Sequence, residues 1–197
     1  MNGRPDLLRA GPLQLRDGRR VWFRPIEPSD AERMRRFHRR LSSRTHRLRF
    51  FSAMPELRPR LARQLTDVDF VERGAVVACH PGEDEIRAVG HYQATGDGAA
   101  EVALVVEDAY QGYGIGHVML DLLVAHLRSR GFERLTAMVL PENTVMLTIL
   151  RRSGFPLLTL CRDGVYYITI DLSHRDSDVS QRDQAELSQR DERALVA

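Results

Sequence analysis

The sequence predicts a mixed α/β domain with a largely antiparallel sheet. Three observations carry that class. Short apolar, β-branched runs are separated by tight-turn residues, as in "RGAVVACH", "PGEDE" and "EIRAVGHYQAT". The apolar period changes after Ile115, where Ile115, Val118, Met119, Leu122, Leu123 and Leu127 follow the spacing of a helix buried on one face. The chain has 197 residues, 43% of them hydrophobic, which suits one domain with a real core.

Taken in order, Arg20–Arg24 reads as a strand, followed by a Pro-rich turn. Ser29 and Glu32 have capping-box spacing, so a helix is expected from Asp30 to about Leu41. A short helix is expected over Arg44–Phe51, and another after Pro55 through "ELRPRLARQLTD". The "PGEDE" turn makes its flanking runs a hairpin, and "EVALVVE" adds a third strand. The helix from Ile115 ends at Gly131, with Arg128 and Arg130 suiting its negative end. "RLTAMVL" is a strand, and "PENTVMLTILRRSG" a helix from near Asn143 to Gly154. "PLLTLCR", the turn "DG" and "VYYITIDL" form a closing hairpin. The expected order is β–α–α–α–β–β–β–α–β–α–β–β. Residues 1–14 read as an N-terminal extension, 15–173 as the domain, and the polar stretch 174–197 as a disordered tail.

Composition removes several chemistries. All 29 basic residues are arginine, and no lysine is present. A P-loop and a Schiff-base mechanism both need lysine, so neither fits. Cys79 and Cys161 have neither CxxC nor zinc spacing, and the histidines form no metal motif, so no metal is expected. The absence of a signal-peptide pattern or a bilayer-length apolar run leads to the expectation of a soluble, cytoplasmic protein. Between Arg33 and Arg63 lie eleven arginines and one acid, Glu56. That run suits a solvated helical face, a docking surface for an acidic protein, or a nucleic-acid patch.

The most informative stretch is "EVALVVEDAYQGYGIGHVMLDLLVAHLRSRG". A strand passes into a loop with Gly112, Gly114 and Gly116, then into a helix. Unpaired amides at a helix N-terminus attract anions, and glycine lets the backbone approach them. The dipole contributes only about 0.3–1 kcal/mol, whereas a micromolar ligand needs roughly 8 kcal/mol. An anion bound there must therefore belong to a longer ligand. A dinucleotide fingerprint would need its third glycine where His117 stands, and it would need parallel strands.

Gln111-Gly112-Tyr113-Gly114-Ile115-Gly116 resembles the Q/R-x-x-G-x-G/A pyrophosphate loop of the GNAT acetyltransferase superfamily. "RPIEPSD", "LSSRTHRLRFFS", "LTDVDF" and "AYQGYGIG" together resemble the catalytic domain of Pat-type bacterial protein lysine acetyltransferases, over about Leu15 to Leu172. The resemblance implies a single GNAT-like domain, in which helices flank the mostly antiparallel sheet and a splayed strand pair forms the acyl-CoA cleft. It implies acetyl-CoA as cosubstrate. The backbone of Leu104, Val105 and Val106 would hold its pantetheine arm, and the amides of Gln111 through Gly116, with His117, its pyrophosphate. Asn143, also a helix N-cap, and Met146, also a core candidate with Ile149, would contact the arm. Many GNAT enzymes carry a tyrosine general acid seven residues after the Asn143 position; here it is Leu150, as is common in Pat-type enzymes. Pat-type proteins often add a regulatory domain, for which these residues leave no room.

A lysine amine with a pKa of about 10.4 is only ~0.1% neutral near pH 7.4, a cost of roughly 4 kcal/mol. A positioned base supplies about 10²–10⁴-fold. Glu101, at the start of the strand leading to the loop, is the candidate, and the resemblance places the family's catalytic glutamate there. Glu107 is about 20 Å further along the strand, near the expected phosphates, and suits the task poorly. Asp108 and Tyr110 read as turn and packing residues, and His91 and Tyr92 could line the acceptor side or the core. The expected activity is direct acetyl transfer to a protein lysine, with AMP-forming acyl-CoA synthetases as candidate partners. The alternatives are a small-molecule amine N-acetyltransferase with an acid-lined pocket, and a non-enzymatic acyl-CoA sensor or nucleic-acid adaptor.

Overall fold

A computed structural model describes residues 8–51, 56–80, 82 and 85–173. The tail expected over 174–197 lies outside the described residues. Strands β1 (Ala10–Gln14), β2 (Arg20–Pro25), β3 (Arg73–Cys79), β4 (Ile86–Gly96), β5 (Ala99–Val106), β6 (Arg134–Val139), β7 (Leu157–Arg162) and β8 (Val165–Asp171) form one sheet in the order β1-β2-β3-β4-β5-β6-β8-β7. Helices α1 (Ala31–Arg40), α2 (Ser43–Phe50), α3 (Pro59–Thr66), α4 (Ile115–Ser129) and α5 (Thr144–Arg151) flank it. Every pairing is antiparallel except β5 with β6.

Two cores sandwich the sheet. The larger packs α4 and α5 residues such as Met119, Leu123, Leu127 and Leu150 against Val76, Ala88, Val102, Leu135 and Ile168. The smaller packs Met34 and Phe37 of α1, Leu41 just after it and Ala62 of α3 against Ala75, Val77, Val89 and Val105. Burying a Leu or Met side chain contributes about 1.5–3 kcal/mol, so each layer fixes its helices firmly.

Two local expectations change. Strand β1 was absent from the expected order; it pairs with β2 at Ala10↔Phe23 and Leu13↔Val21. Its Gly11 and Pro12 hide a strand signal that an edge position tolerates. The capping box also moves. A short 3-10 turn at Pro28–Asp30 precedes α1, with Glu27 as its cap and the Asp30 side chain accepting from the Glu27 amide at 2.9 Å. Asp30 is fully buried and also accepts from Arg24 and Arg33, so tertiary partners set that helix start.

The β5–β6 pair opens as it runs. Ala99, Ala100 and Glu101 pair with Arg134, Leu135 and Thr136, and the register ends there. Beyond Glu101 no β5–β6 pairing continues, and residues of α2 and α5 line the cleft beside β5.

Candidate active site

The donor side of the fork begins at the glycine loop. Gly112 and Gly114 have φ of +81° and +86°, and a Cβ there would meet open space. Their need for glycine is therefore backbone conformation. Gly116 differs, because a Cβ would stand 2.7 Å from Ile149 Cδ1 and block the approach of α5 to α4. The amides of Gly112, Tyr113, Gly114, Ile115 and Gly116 donate to no backbone acceptor among the described residues. They open onto a cavity of about 460 Å³ that Arg16, His117 and Arg152 also line. His117 Nε2 is buried there without a hydrogen-bond partner among the described residues. Sequence pattern missed Arg16 and Arg152, which come from opposite ends of the chain and meet only in the fold.

Next to it, a narrower cleft of about 210 Å³ runs between β5 and α5. Leu104, Val105, Val106, Asn143, Met146 and Ile149 line it. Asn143 caps α5, its Oδ1 accepting from the Met146 amide at 3.1 Å. The Ile115 and Val105 side chains are core, so those residues can offer a ligand only backbone. Met146 is 9% exposed and serves both core and cleft. Leu150 is fully buried.

Gln111 does not aim its side chain at the anion cavity. Its Nε2 donates to Val106 O at 3.0 Å and to Thr45 Oγ1 at 3.1 Å. Asp108, expected as a turn residue, is a clamp: it accepts from the Ser42 amide, the Ser42 hydroxyl and the Thr45 hydroxyl. Its carboxyl sits below the usual range, because these donors outweigh the opposing effect of burial. Together they pin the N-terminus of α2 to the glycine loop. Arg19 braces the same turn, donating to Ala109 O at 2.9 Å and lying 4.0 Å from the Tyr110 ring centroid.

A second cavity lies where Glu101 stands. Glu101 is partly buried and stands at the fork. The register Arg73↔Gln93↔Glu101↔Thr136 places these four side chains in one row across the sheet. His91 and Ala103 form the next row along. A cavity of about 520 Å³ rests on this floor, with Gln64, Leu65 and Val68 as its wall and Arg49 of α2 entering from above. Burial first, then the Arg49 charge, pushes the His91 imidazole down to about 4. Tyr92 points to the opposite core, where its hydroxyl meets His126 Nε2 at 2.9 Å.

Glu107 is explained as structure. It is 8% exposed and lies between Arg40 and Arg87, each at 3.1 Å. The arginine run divides in the same way: Arg33, Arg35, Arg36, Arg40 and Arg47 pair with carboxylates, whereas Arg44 and Arg49 line the clefts.

A cavity lined by free amides, a thin slot and a carboxylate at a strand fork share lining residues, an arrangement that suits group transfer from a long anionic donor. The family model Acetyltransf_3, the acetyltransferase (GNAT) domain, matches residues 20–156. The chain is 35% identical over 144 residues to Acetyltransferase PA5475 of Pseudomonas aeruginosa, covering 72% of this chain and 77% of that protein. It is 33% identical over 145 residues to Acetyltransferase Pat of Mycolicibacterium smegmatis, covering 73% of this chain and 43% of that one. The crystal structure of the GNAT domain of S. lividans PAT superposes with a TM-score of 0.76 at 34% identity, covering 85% of this chain and 98% of that domain. This chain belongs to the GNAT acetyltransferase family. Acetyl-CoA is that family's acyl donor, and the donor set fits it: free amides and two guanidiniums at the anionic end, apolar walls along the slot. Among the described residues no helix is long and apolar enough to cross a membrane, and no cluster could hold a metal ion.

Proposed function

We propose that the chain is an acetyl-CoA-dependent protein lysine N-acetyltransferase of the cytoplasm in which Glu101 is the general base. The carrying observation is the position of Glu101. It sits where β5 leaves β6, bordering the acceptor cavity, with no ion pair among the described residues. The relatives named Pat support a protein acceptor, and AMP-forming acyl-CoA synthetases are the first targets to test.

Bound acetyl-CoA supplies an activated thioester carbonyl. The Gly112–Gly116 amides hold its pyrophosphate, with His117, Arg16 and Arg152 alongside, while the Gln111 amide is engaged with Asp108 O. The backbone of Leu104, Val105 and Val106 aligns the pantetheine arm against Asn143 and Met146, and the strand amide near Leu104 polarises the carbonyl. Glu101 takes the proton from the acceptor amine, directly or through one water. The neutral amine nitrogen bonds to the acetyl carbon, the carbon–sulfur bond breaks with CoA leaving as thiolate, and the second N–H proton passes to that thiolate or to solvent. With a thiol pKa near 8.5, as for cysteine, that thiolate leaves without a general acid, which accommodates Leu150.

Labelled acetyl-CoA with a purified AMP-forming acetyl-CoA synthetase tests this, wild type beside Glu101→Gln. Label on the synthetase with wild type only is expected. Because this chain has no lysine, lysine label must lie on the partner. Equal label from both proteins would falsify the base assignment. A small-molecule acceptor is the second reading, favoured by the size of the 520 Å³ cavity. The acid-rich lining expected for a polyamine is missing, since Glu101 is the sole acid among the described lining residues.

A further inference from the structure

Arg49 is the described residue common to the donor slot, the acceptor cavity and the small cleft linking them. It projects from the last turn of α2, whose other end Asp108 and Gln111 clamp to the glycine loop. Its guanidinium makes no ion pair among the described residues; its contact is the Phe50 ring, 5.0 Å to the centroid. Arginines earlier in the same run do have carboxylate partners, such as Arg40 with Glu107 and Arg36 with Glu85. Arg49 is half-buried, and the opposing charge it feels there is that of Glu101, which lies beyond ion-pair distance; a carboxylate on the ligand would give the guanidinium the direct partner it lacks among the described residues.

The floor of the cavity adds a second cation. Arg73 stands two strands from Glu101 in the cross-strand row, roughly 10 Å away at ordinary strand spacing. Arg73 is exposed and makes no ion pair among the described residues, although it feels the charge of Asp69, whose Oδ1 accepts the amides of Val71, Glu72 and Arg73. The cavity therefore offers one carboxylate for an amine and two guanidiniums beside it. A polyamine or a lysine among other basic residues would meet repulsion there. An acceptor with a carboxylate set off from its amine would meet complementary charge on both groups.

From this arrangement we infer that the acceptor cavity selects a substrate with a carboxylate beside its reactive amine, held by Arg49 with Arg73 as the second contact. The spacing along the row suits an Asp or Glu flanking an acceptor lysine. The inference rests on the acceptor-side reading of Glu101. Guanidinium–carboxylate pairs are bidentate and strong, so Arg49 acts as a specificity residue through fork geometry as well as charge.

The test uses lysine peptides with a flanking Glu and their Gln counterparts, free lysine and glutamate as small-molecule arms, and two readouts. Calorimetry measures peptide binding to the CoA-loaded protein, and labelled acetyl-CoA measures transfer. Wild type should bind the Glu peptide at least about tenfold more tightly than the Gln peptide. Arg49→Gln should erase that preference while still binding the Gln peptide, which shows the variant is folded. Arg49→Lys should restore only part of it. Equal binding of both peptides by wild type, or a preference that survives Arg49→Gln, overturns the inference. So does a loss in Arg49→Gln confined to transfer from succinyl-CoA, which would put the carboxylate on the acyl chain. Preferential capture of free glutamate or lysine would keep the carboxylate but make its source an amino acid. Discriminating binding without transfer would instead overturn the proposed activity and leave the inference standing.

Discussion

Strand β5 carries or adjoins two glutamates six positions apart, and they have opposite fates. Glu107, just past its end, is buried between Arg40 and Arg87, with Arg40 also bound to Glu85 and to Ile86 O. Glu101, near its start, faces a cavity and has no such partner among the described residues. A buried carboxylate with two guanidiniums is part of the frame, because removing it strands two cations. A partly buried carboxylate with no guanidinium bonded to it among the described residues is open to a ligand instead. The arginines divide by the same criterion: Arg33, Arg36 and Arg40 of α1 close ion pairs, and Arg49 of α2 lines the cleft.

The sharpest way to break this contrast is a pair of isosteric changes. Glu101→Gln should lower turnover by at least ~10²-fold, with acetyl-CoA binding and Tm close to wild type. Glu107→Gln should lower stability by about 2–3 kcal/mol, read as a fall in denaturation midpoint, with turnover per folded molecule largely kept. If Glu107→Gln cost turnover as much as Glu101→Gln does, the division between frame and chemistry would collapse.

The next effect is a pH dependence. Burial holds the His38 imidazole down to about 4, with the neighbouring His46 charge adding to it, and burial with Arg49 does the same at His91. In the unfolded chain both titrate near the ordinary 6.5. Above that value both states hold neutral histidine, and the full stability is present. Between about 6.5 and 4 the unfolded chain takes up protons that the folded chain refuses, so stability falls as pH drops. Thermal melts from pH 7.5 to 4.5 should show Tm declining, and His91→Gln should flatten part of that slope. A flat profile for wild type would refute the burial account of both rings.

The smallest effect separates the glycines. Gly116→Ala should cost about 1 kcal/mol through its clash with Ile149 Cδ1, and Ile149→Val, which deletes that carbon, should recover most of it. Gly112→Ala should cost about 1–2 kcal/mol through its left-handed backbone, and Ile149→Val should not help it. Equal rescue of both by Ile149→Val would mean the two glycines serve one purpose.

Much of the fold was legible because its signals are local. The Ile115 helix period, the Asn143 cap and the closing Asp163-Gly164 turn each lie within a few residues, and the structure contains all three. The box expected at Ser29 and Glu32 moved because Asp30 answers to Arg24, a tertiary partner on β2. Strand β1 was missed because glycine and proline mask a pairing that only β2 reveals.

The sequence by itself determined the glycine-rich turn of the candidate donor site. A strand, a glycine-rich turn and a helix N-terminus are contiguous, and backbone amides need no distant residue to face an anion. Tertiary structure decided what stands around Glu101 in the second cavity. Arg49, Arg73, His91 and Glu101 come from α2, β3, β4 and β5, and strand register with the clamp on α2 brings them together. The physical reason is range. Backbone conformation is set by neighbours along the chain, whereas the partner of a charge is set by whatever the fold places a few ångströms away.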